Sequence, residues 1–435
     1  MHDPVLPALR HVNADSVIFR DHGELITVAR FLSEVVSLAE GLPVATQVVN
    51  LCANRYRFSV GLIAAMMRHQ ITLLPASLAE KPIKDLADAD PALYALTDEP
   101  VALSGIPLFP FPPTADRRAA PRIPAFRATQ AAVVLFTSGS TGEALPHLRT
   151  WGALVGSTQA AAQKLDLSAL AGASLTGTVP HQHSFGLESL IMLSLQHGFT
   201  LEATRPLFPA DIVAQLATMA RPRLLVTTPI HLRSLMDVRI KAPPLDQIIC
   251  ATAPLATDLA LAAEQKLQAP LWEIYGCTEV GQIAVRRTVH TDRWTCLDGI
   301  ELDARADEIW ASGTIAAAPS PLGDVIELTA DRTFLLKGRK ADMINIAGKR
   351  SSLAYLNSQL NAIPGVEDGV FVLQERGPTP RLKAYVVAPS LDAAHINAAL
   401  RQRVDAAFLP RSIDFVEALP RNMLGKLPLD ALRAL

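Results

Sequence analysis

Residues 131–142 read Ala-Ala-Val-Val-Leu-Phe-Thr-Ser-Gly-Ser-Thr-Gly, a short apolar run that passes directly into glycines and hydroxyl side chains. The apolar part predicts a buried strand, and the remainder predicts a tight loop at its end. Glycine lets the backbone bring its N–H groups close to phosphate oxygens, and small hydroxyls add donors without blocking access. We therefore predict a phosphate-binding loop formed by Thr137, Ser138, Gly139, Ser140, Thr141 and Gly142.

Short apolar runs alternate with longer helical stretches on both sides of this loop. The run-and-helix pairs are 48–51 with 56–69, 224–227 with 230–236, and 247–250 with 256–266. This alternation predicts βαβ units and a largely parallel sheet. A proline-rich stretch at 107–124 predicts a surface connection, because proline breaks helices and central strands. The fold class we expect is α/β, with a large N-terminal domain of mixed and parallel sheets flanked by helices.

The pattern changes near Gly338-Arg339. Beyond this point the chain has apolar runs at 370–373 and 382–387, a predicted helix near 395–408, and a closing loop of Pro, Gly and Lys. That length and pattern are typical of a small α+β domain. We predict a core at residues 1–339, with a subdomain boundary near 107–130, and a mobile C-terminal lid at 340–435.

Composition narrows the classes of partner. The chain has 435 residues, an apolar content of 49% and a formal net charge of −2, which argues against nucleic acid or an anionic membrane as the main partner. Its four cysteines lack CxxC spacing, which fits a reducing compartment. The N-terminus lacks an export-signal pattern and no apolar window reaches the roughly 18 residues of a membrane span. These features predict a cytoplasmic protein that acts on small molecules.

Further motifs follow the glycine-rich loop in a fixed order: Tyr275-Gly276-Cys277-Thr278-Glu279, Gly323-Asp324, Gly338-Arg339 and Pro420-Arg421-Asn422-Met423-Leu424-Gly425-Lys426. Together they resemble the acyl-adenylating, AMP-forming superfamily of acyl-CoA synthetases, peptide-synthetase adenylation domains and luciferases. The resemblance extends to 50–54 and 74–77 in the opening third. It implies an acid–thiol ligase in which a carboxylic acid attacks the α-phosphate of ATP, giving an acyl-adenylate and pyrophosphate, and a thiol then displaces AMP.

The resemblance also implies roles for individual residues. The implied catalytic set is Lys426, Glu279, Thr278 and His183, with Glu279 holding Mg²⁺ and Lys426 stabilising the transition state. The 137–142 loop would hold the β- and γ-phosphates of ATP. The implied contacts to the rest of ATP or AMP are Ala253, Pro254, Tyr275, Gly276, Cys277, Asp324 and Arg339. The implied acid pocket contains His183, Phe185, Gly186 and Gly276, and the implied thiol tunnel contains Gly348, Lys349 and Arg350.

Two histidines near this pocket, His181 and His183, leave other roles open. A metal site is one alternative, although no acidic or cysteine partner lies at ligand spacing. A purely structural role for His181 is another.

The chain departs from the family pattern at two places. The glycine-rich loop usually continues to Pro-Lys-Gly, but residues 143–149 read Glu-Ala-Leu-Pro-His-Leu-Arg, so Arg149 is the candidate replacement for the missing lysine. The hinge usually reads Gly-Arg-x-Asp, and here Ala341 occupies the aspartate position, with Asp342 next. Residues 346–350 keep the loop that lines the thiol tunnel in the family, which predicts that thioester formation is retained.

Residues 181–187 form a His-x-His-Ser-Phe-Gly-Leu segment, and the glycine-rich loop is not followed by Pro-Lys. In these two features and in its compact length, the chain resembles the ligases of bacterial aryl polyene and xanthomonadin-type pigment clusters. That narrower resemblance implies a hydroxybenzoate-like or hydroxycinnamate-like acid and transfer to the phosphopantetheine arm of an acyl carrier protein. Two alternatives stay open: an aryl- or fatty-acyl-CoA ligase that uses free CoA, and a catalytically degenerate nucleotide-binding protein. Either acceptor could use the basic surface of Arg339, Lys340, Lys349, Arg350, Arg401, Arg403 and Arg411.

Overall fold

The computed structural model describes residues 3–75, 80–101, 103, 105–112, 122–138, 144–306, 308–316, 318–340, 343–346, 349–374, 381–421, 427 and 431. For residues 80, 138, 144, 339, 343, 345 and 350 the description covers only the backbone. No helix within these ranges is long and apolar enough to cross a membrane.

Strands and helices alternate through most of the described chain. The strands are β1 (Val5–Pro7), β2 (Val17–Asp21), β3 (Glu24–Thr27), β4 (Gln47–Asn50), β5 (Ile71–Leu74), β6 (Tyr94–Thr97), β7 (Leu108–Pro110), β8 (Ala125–Arg127), β9 (Ala131–Ser138), β10 (Ala144–Thr150), β11 (Ser174–Gly177), β12 (Thr200–Glu202), β13 (Arg223–Thr227), β14 (Gln247–Cys250), β15 (Leu271–Cys277), β16 (Gly281–Arg286), β17 (Arg293–Cys296), β18 (Ile300–Arg305), β19 (Glu308–Gly313), β20 (Ser320–Pro321), β21 (Asp324–Leu328), β22 (Thr333–Arg339), β23 (Met343–Ile346), β24 (Lys349–Ser352), β25 (Asp368–Gln374), β26 (Arg381–Val387) and β27 (Ser412–Phe415). The helices are α1 (Val28–Gly41), α2 (Arg55–Met67), α3 (Glu80–Ala89), α4 (Trp151–Lys164), α5 (Ser184–Gly186), α6 (Leu193–His197), α7 (Pro209–Thr218), α8 (Pro229–Asp237), α9 (Thr257–Leu267), α10 (Leu353–Asn361) and α11 (Ala393–Arg401). A π-helical turn, Leu187–Met192, joins α5 to α6.

Two sheets organise the larger part of the chain. The first has the order β10-β9-β5-β4-β6-β7 and is parallel except for the β9–β10 hairpin. The second has the order β21-β22-β17-β16-β15-β14-β13-β11-β12-β2-β3, with a parallel centre from β15 to β2 and antiparallel strands at both ends. The predicted α/β class with mixed and parallel sheets is therefore confirmed.

Helix α2 lies in the interior of this part of the chain. Its side chains are buried all round rather than on one stripe, as expected of a helix enclosed by other elements. Asn54 caps its N-terminus by accepting hydrogen bonds from the backbone N–H groups of Tyr56 and Arg57. One continuous hydrophobic core extends from residues near the N-terminus to Phe334 and includes the fully buried Trp151.

The C-terminal region has its own hydrophobic core. That cluster is drawn from residues 344–413, where β25, β26 and β27 form a small sheet with α10 and α11. The guanidinium of Arg233 on α8 donates to Asn361 at 3.2 Å and connects this region to the second sheet. The division at 339/340 stays a prediction, since a separate core does not fix the residue at which a hinge bends.

Two sequence predictions need correction at the level of elements. The helix predicted near 395–408 ends at Arg401, and a separate 3₁₀ turn, Ala406–Phe408, follows. The Asp405 side chain accepts from the backbone N–H of Ala407 and so starts this new turn. The proline-rich 107–124 stretch contains the short strand β7, which lies at the edge of its sheet, where proline is tolerated.

Candidate functional site

The end of β15 meets the start of β21. The Tyr275 hydroxyl donates to Oδ2 of Asp324 at 2.6 Å, although the two residues are far apart in the chain. Asp324 lies opposite Arg339 in the β21–β22 pairing. The structure therefore brings together three residues that the sequence assigned to the nucleotide, with a half-buried carboxylate between them.

Tyr275 is held by an aromatic cluster. Its ring centroid lies 5.7 Å from that of Trp294 and 5.6 Å from that of Phe334, and only 9% of the residue is exposed. These contacts fix the direction of the hydroxyl, because the ring has no room to change rotamer. The adenine-stacking role assigned to Tyr275 stays a prediction.

Two loops converge at the carboxyl ends of parallel strands β14 and β15. Ala253 and Pro254 are exposed after β14, and the turn that contains Thr278 and Glu279 follows β15. Leu255 donates its backbone N–H to the buried carboxylate of Glu273 on β15, which ties the first loop to the second strand. Carboxyl ends of parallel strands are the usual ligand-binding edge of an α/β sheet.

Cys277 is the last residue of β15, directly before the second loop. Burial raises the pKa of its thiol to about 12, and the negative charge of Glu279 adds to the shift. The thiol therefore stays protonated near neutral pH, and the electrostatic character of the turn comes from the half-buried Glu279. A carboxylate next to phosphate oxygens is the ligand set that Mg²⁺ uses in nucleotide sites.

Magnesium would need oxygen ligands beyond Glu279. Within the described ranges no three His, Cys, Asp or Glu side chains converge as a metal site. One carboxylate fits a metal that draws its remaining ligands from ATP and water, so Glu279 is compatible with Mg²⁺ held mainly by the nucleotide.

The β9–β10 hairpin lies on either side of the segment that was predicted to bind phosphate. Thr137 at the end of β9 is half-buried, and its hydroxyl lies 2.9 Å from Nε2 of His147 on β10. Gly139, Ser140, Thr141 and Gly142 lie outside the described residues, as does the side chain of Ser138. The phosphate-binding assignment stays a prediction for them.

Arg149 is not placed to replace the missing loop lysine. In the hairpin register it pairs with Val133, whereas Thr137 pairs with Leu145; four residues of strand span roughly 13 Å. The Arg149 side chain is fully buried and lies 3.8 Å from the buried carboxylate of Glu188. It therefore points into the protein interior rather than toward the loop.

Three of the four predicted acid-pocket residues lie together in the segment that leads into the π-helical turn, and the fourth, Gly276, lies on β15. His183 precedes α5 and is half-buried, and Phe185 is half-buried against the main core. Gly186 is buried, and a Cβ there would come within 2.0 Å of the Pro180 carbonyl oxygen. The absence of a side chain at Gly186 therefore lets the backbone of Pro180 pack closely against it, in addition to leaving room in the predicted pocket.

His181 lies in the interior. Its Nε2 is 3.0 Å from the carbonyl oxygen of Cys52. Burial lowers the pKa of His181 to about 3, and the nearby charge of Arg55 adds to the shift. His181 is therefore neutral near pH 7, which agrees with a structural role for it.

The predicted thiol-tunnel residues are only partly described. Lys349 on β24 is exposed and forms an ion pair with Asp405. Gly348, the Arg350 side chain, the hinge positions Ala341 and Asp342, and Lys426 lie outside the described residues. The tunnel, the hinge and the catalytic lysine stay predictions.

Comparison with known proteins gives the family. The model of the AMP-binding enzyme family matches residues 62–298, just over half of the chain. A 4-coumarate–CoA ligase from Rhodobacter capsulatus is 31% identical over 306 residues, which cover 69% of this chain and 76% of that protein. The chain belongs to the AMP-binding enzyme family. Membership makes it an ATP-dependent, AMP-forming carboxylic acid ligase, as the motif order predicted.

Solved structures agree in fold with this AMP-binding enzyme. The o-succinylbenzoate CoA synthetase MenE from Bacillus subtilis, in complex with its acyl-adenylate intermediate, superposes with a TM-score of 0.82 at 17% identity over 99% of this chain and 98% of that one. ATP-bound MatB from Rhodopseudomonas palustris gives a TM-score of 0.79 at 18% identity over 98% and 96%. At these identities the similarity concerns the fold alone.

Sequence reasoning missed several residues at the site of this AMP-binding enzyme. Trp294 and Phe334 carry no motif, and only their packing against Tyr275 reveals them. His147 lies in the segment where the usual lysine is absent, but its spacing gave no sign of its contact with Thr137. In the sequence, Glu188 is the single charged residue of the mostly apolar run 187–195. That isolated charge was the only signal that its carboxylate needs a partner.

Proposed function

We propose that this enzyme adenylates an aromatic carboxylic acid, a hydroxybenzoate or related aryl acid, and transfers the acyl group to the phosphopantetheine thiol of an acyl carrier protein. The observation that carries the adenylation half is the Tyr275–Asp324 hydrogen bond at the carboxyl edge of the parallel strands. It presents a fixed carboxylate that can accept from both ribose hydroxyls of a nucleotide.

The order of groups along this edge supports the reaction. Asp324 and Arg339 would hold the ribose, and Thr278 and Glu279 lie at the neighbouring turn, where the α-phosphate and Mg²⁺ would bind. His183 and Phe185 belong to the segment at α5, which contacts β16, and would border the acid. Negative charge develops on the departing pyrophosphate, so the donors of the 137–142 loop and the positive charge of Lys426 would stabilise the transition state.

The basic surface of the C-terminal region supports a protein acceptor. Arg401, Arg403 and Arg411 are exposed, and among the described residues no carboxylate forms an ion pair with them. Carrier proteins are acidic, and complementary charge speeds docking and fixes orientation. Cytoplasmic location is part of the same proposal.

Free CoA is the second candidate acceptor. It is favoured by the relatives named 4-coumarate–CoA ligase from Rhodobacter capsulatus and Halorhodospira halophila, which are 31% and 28% identical to this chain. The 3′-phosphate of CoA would also suit a basic surface. Thioester formation should therefore be measured with CoA and with a phosphopantetheinylated carrier protein side by side.

The first test is acid-dependent exchange between ATP and labelled pyrophosphate by the purified protein. Hydroxybenzoates and hydroxycinnamates should stimulate exchange, and medium-chain fatty acids should not. Lys426→Ala should reduce exchange by about 100-fold or more while ATP binding is retained, because transition-state charge stabilisation is lost. Lys383→Ala removes a lysine from the same C-terminal region and serves as the control.

Each outcome is informative. Full exchange activity in Lys426→Ala would refute the placement of the catalytic lysine. Exchange driven only by fatty acids would keep adenylation and overturn the aryl acid. ATP binding without exchange for any acid would favour the degenerate nucleotide-binding alternative.

A further inference from the structure

Arg149 is an unusual charged residue for a protein interior. Its side chain has no exposed surface, and none of its three guanidinium nitrogens forms a hydrogen bond with a described residue. The nearest carboxylate oxygen, Oε1 of Glu188, is 3.8 Å from Nη1, an ion-pair distance beyond hydrogen-bonding range. Buried charges are normally both paired and hydrogen-bonded, so Arg149 retains unused donors.

Its partner Glu188 has capacity to spare. The Ser157 hydroxyl donates to one carboxylate oxygen and the Ser184 hydroxyl to the other. A carboxylate can accept about four hydrogen bonds. Close by, Gln282 donates from Nε2 to the Ser189 hydroxyl at 3.0 Å, while its own Oε1 is buried without a partner among the described residues.

These groups lie directly beneath the proposed reaction centre. A Cβ on Gly281, whose φ is +103°, would come within 2.5 Å of both Nη1 and Nη2 of Arg149. Gly281 pairs with Cys277, and Gln282 pairs with Gly276, across the β15–β16 hairpin. Ser184 immediately follows His183. The cluster therefore touches both segments that border the proposed acid pocket.

A small cavity opens on this cluster. It has a volume of about 10 Å³, which is room for one water-sized group. Its polar wall contains Glu188, Ser189 and Gln282, and its apolar wall includes Ala161, Leu193 and Ile274. The cavity thus combines one polar wall with an apolar one, and Arg149 lies behind its wall, beside Glu188.

We propose that the Arg149–Glu188 pair, with Gln282, recognises a hydroxyl group on the acid substrate, at the end remote from the carboxylate that is adenylated. This proposal rests on the proposed function and assigns its specificity. A hydroxyl placed in the cavity donates its proton to the Glu188 carboxylate or to the unpartnered Oε1 of Gln282, and Arg149 supports that carboxylate from 3.8 Å away. A second carboxylate would face the Glu188 carboxylate, an aromatic amine, which is neutral near pH 7, would donate hydrogen bonds but accept poorly, and a hydrogen or methyl would leave the polar wall unpaired.

The test compares acids that differ only at the remote position: benzoate, 4-methylbenzoate, 4-aminobenzoate, terephthalate, and 3- and 4-hydroxybenzoate, with the matching cinnamates. Pyrophosphate exchange should show kcat/KM at least about 100-fold higher for the best hydroxylated acid than for its unsubstituted counterpart, because sites built to bind a hydroxyl reject analogues that lack it.

The matched variant is Arg149→Met combined with Glu188→Leu. Replacing both members of a buried pair by apolar residues of similar size is commonly tolerated, and the serine hydroxyls can turn to carbonyls of their own helices. The hydroxyl preference should fall to less than about threefold, while KM for ATP is retained. Arg30→Met with Glu34→Leu makes the same exchange on α1, whose pair joins Nε and Oε1 at 3.1 Å, and should leave the preference unchanged.

The outcomes separate this proposal from the proposed function. Equal exchange with hydroxylated and unsubstituted acids by the unmodified protein overturns hydroxyl recognition and leaves adenylation standing. Preference for terephthalate or 4-aminobenzoate overturns it in the same way. A double variant that folds, as judged by urea unfolding, and keeps the full preference shows that other residues read the hydroxyl. No exchange with any acid overturns both proposals. If the double variant does not fold, Gln282→Met decides, because it removes a polar group that lines the cavity: retention of the full hydroxyl preference overturns the proposal.

Discussion

The hydrogen bond from Tyr275 to Asp324 should have a measurable effect on ATP binding. Tyr275→Phe removes only the hydroxyl oxygen, and the ring can keep its contacts with Trp294 and Phe334. A hydrogen bond to a charged group contributes about 1.5–3 kcal/mol. Asp324 is half-buried, so water replaces part of the lost interaction, and the lower end of the range applies.

A loss of about 1.5 kcal/mol corresponds to roughly a tenfold change in affinity. KM for ATP in pyrophosphate exchange should therefore rise by up to about tenfold, because Asp324 loses the donor that orients it for the ribose. The value of kcat should change little. The free energy of unfolding, measured in urea, should fall by about 1 kcal/mol.

Tyr94→Phe is the matched control. Tyr94 is buried in the first sheet, and its hydroxyl donates to Oε1 of Gln70 at 2.7 Å. This variant should lose similar stability without a change in KM for ATP. If Tyr275→Phe loses stability but binds ATP like the unmodified protein, the hydroxyl supports the fold alone and the reasoning about the ribose carboxylate is refuted.

Three further predictions concern stability. The pKa of His181 is about 3 in the folded protein and about 6.5 in the unfolded chain, so the unfolded chain binds more protons as the pH falls through 6.5 and the protein loses stability. His181→Gln should lose about 2 kcal/mol less unfolding free energy between pH 7 and pH 5 than the unmodified protein. Identical urea midpoints of the unmodified protein at the two pH values would contradict this. Asn54→Ala should lower the unfolding free energy by about 1–2 kcal/mol because α2 loses its cap, which an unchanged denaturation curve would exclude. Arg286→Leu should lower the unfolding free energy by about 3–5 kcal/mol, because it leaves the buried Glu273 carboxylate without the cation that lies 2.7 Å away. A loss below 1 kcal/mol would show that the hydrogen bonds from the Thr288 hydroxyl and the Leu255 backbone are enough to stabilise this carboxylate.

Much of the architecture was predictable from local pattern. Apolar runs such as 247–250 became central parallel strands, and the stretches that follow them became helices. Burial on both faces makes such strands uniformly apolar, which is why they are visible in the sequence. Element ends were harder, as the helix that ends at Arg401 shows, because a single side-chain cap at Asp405 decides where a new turn starts.

The Arg149 hypothesis shows the limit of reasoning from spacing. A cation close after the glycine-rich loop is a reasonable substitute for lysine, but four residues of strand carry Arg149 roughly 13 Å away from the loop. The register of the β9–β10 hairpin turns Arg149 toward Glu188 on a different segment. Neither the register nor the partner is recorded in the spacing of the residues.

By itself, the sequence determined the α/β class and the family, because these depend on short contiguous motifs and on their order. Only the tertiary structure joined Tyr275 to Asp324 and enclosed Arg149 with Glu188 and Gln282. Those contacts connect segments that are distant along the chain. Their energetic weight comes from burial, which weakens solvent screening and makes an unpaired polar group costly, and burial is a property of the packed fold.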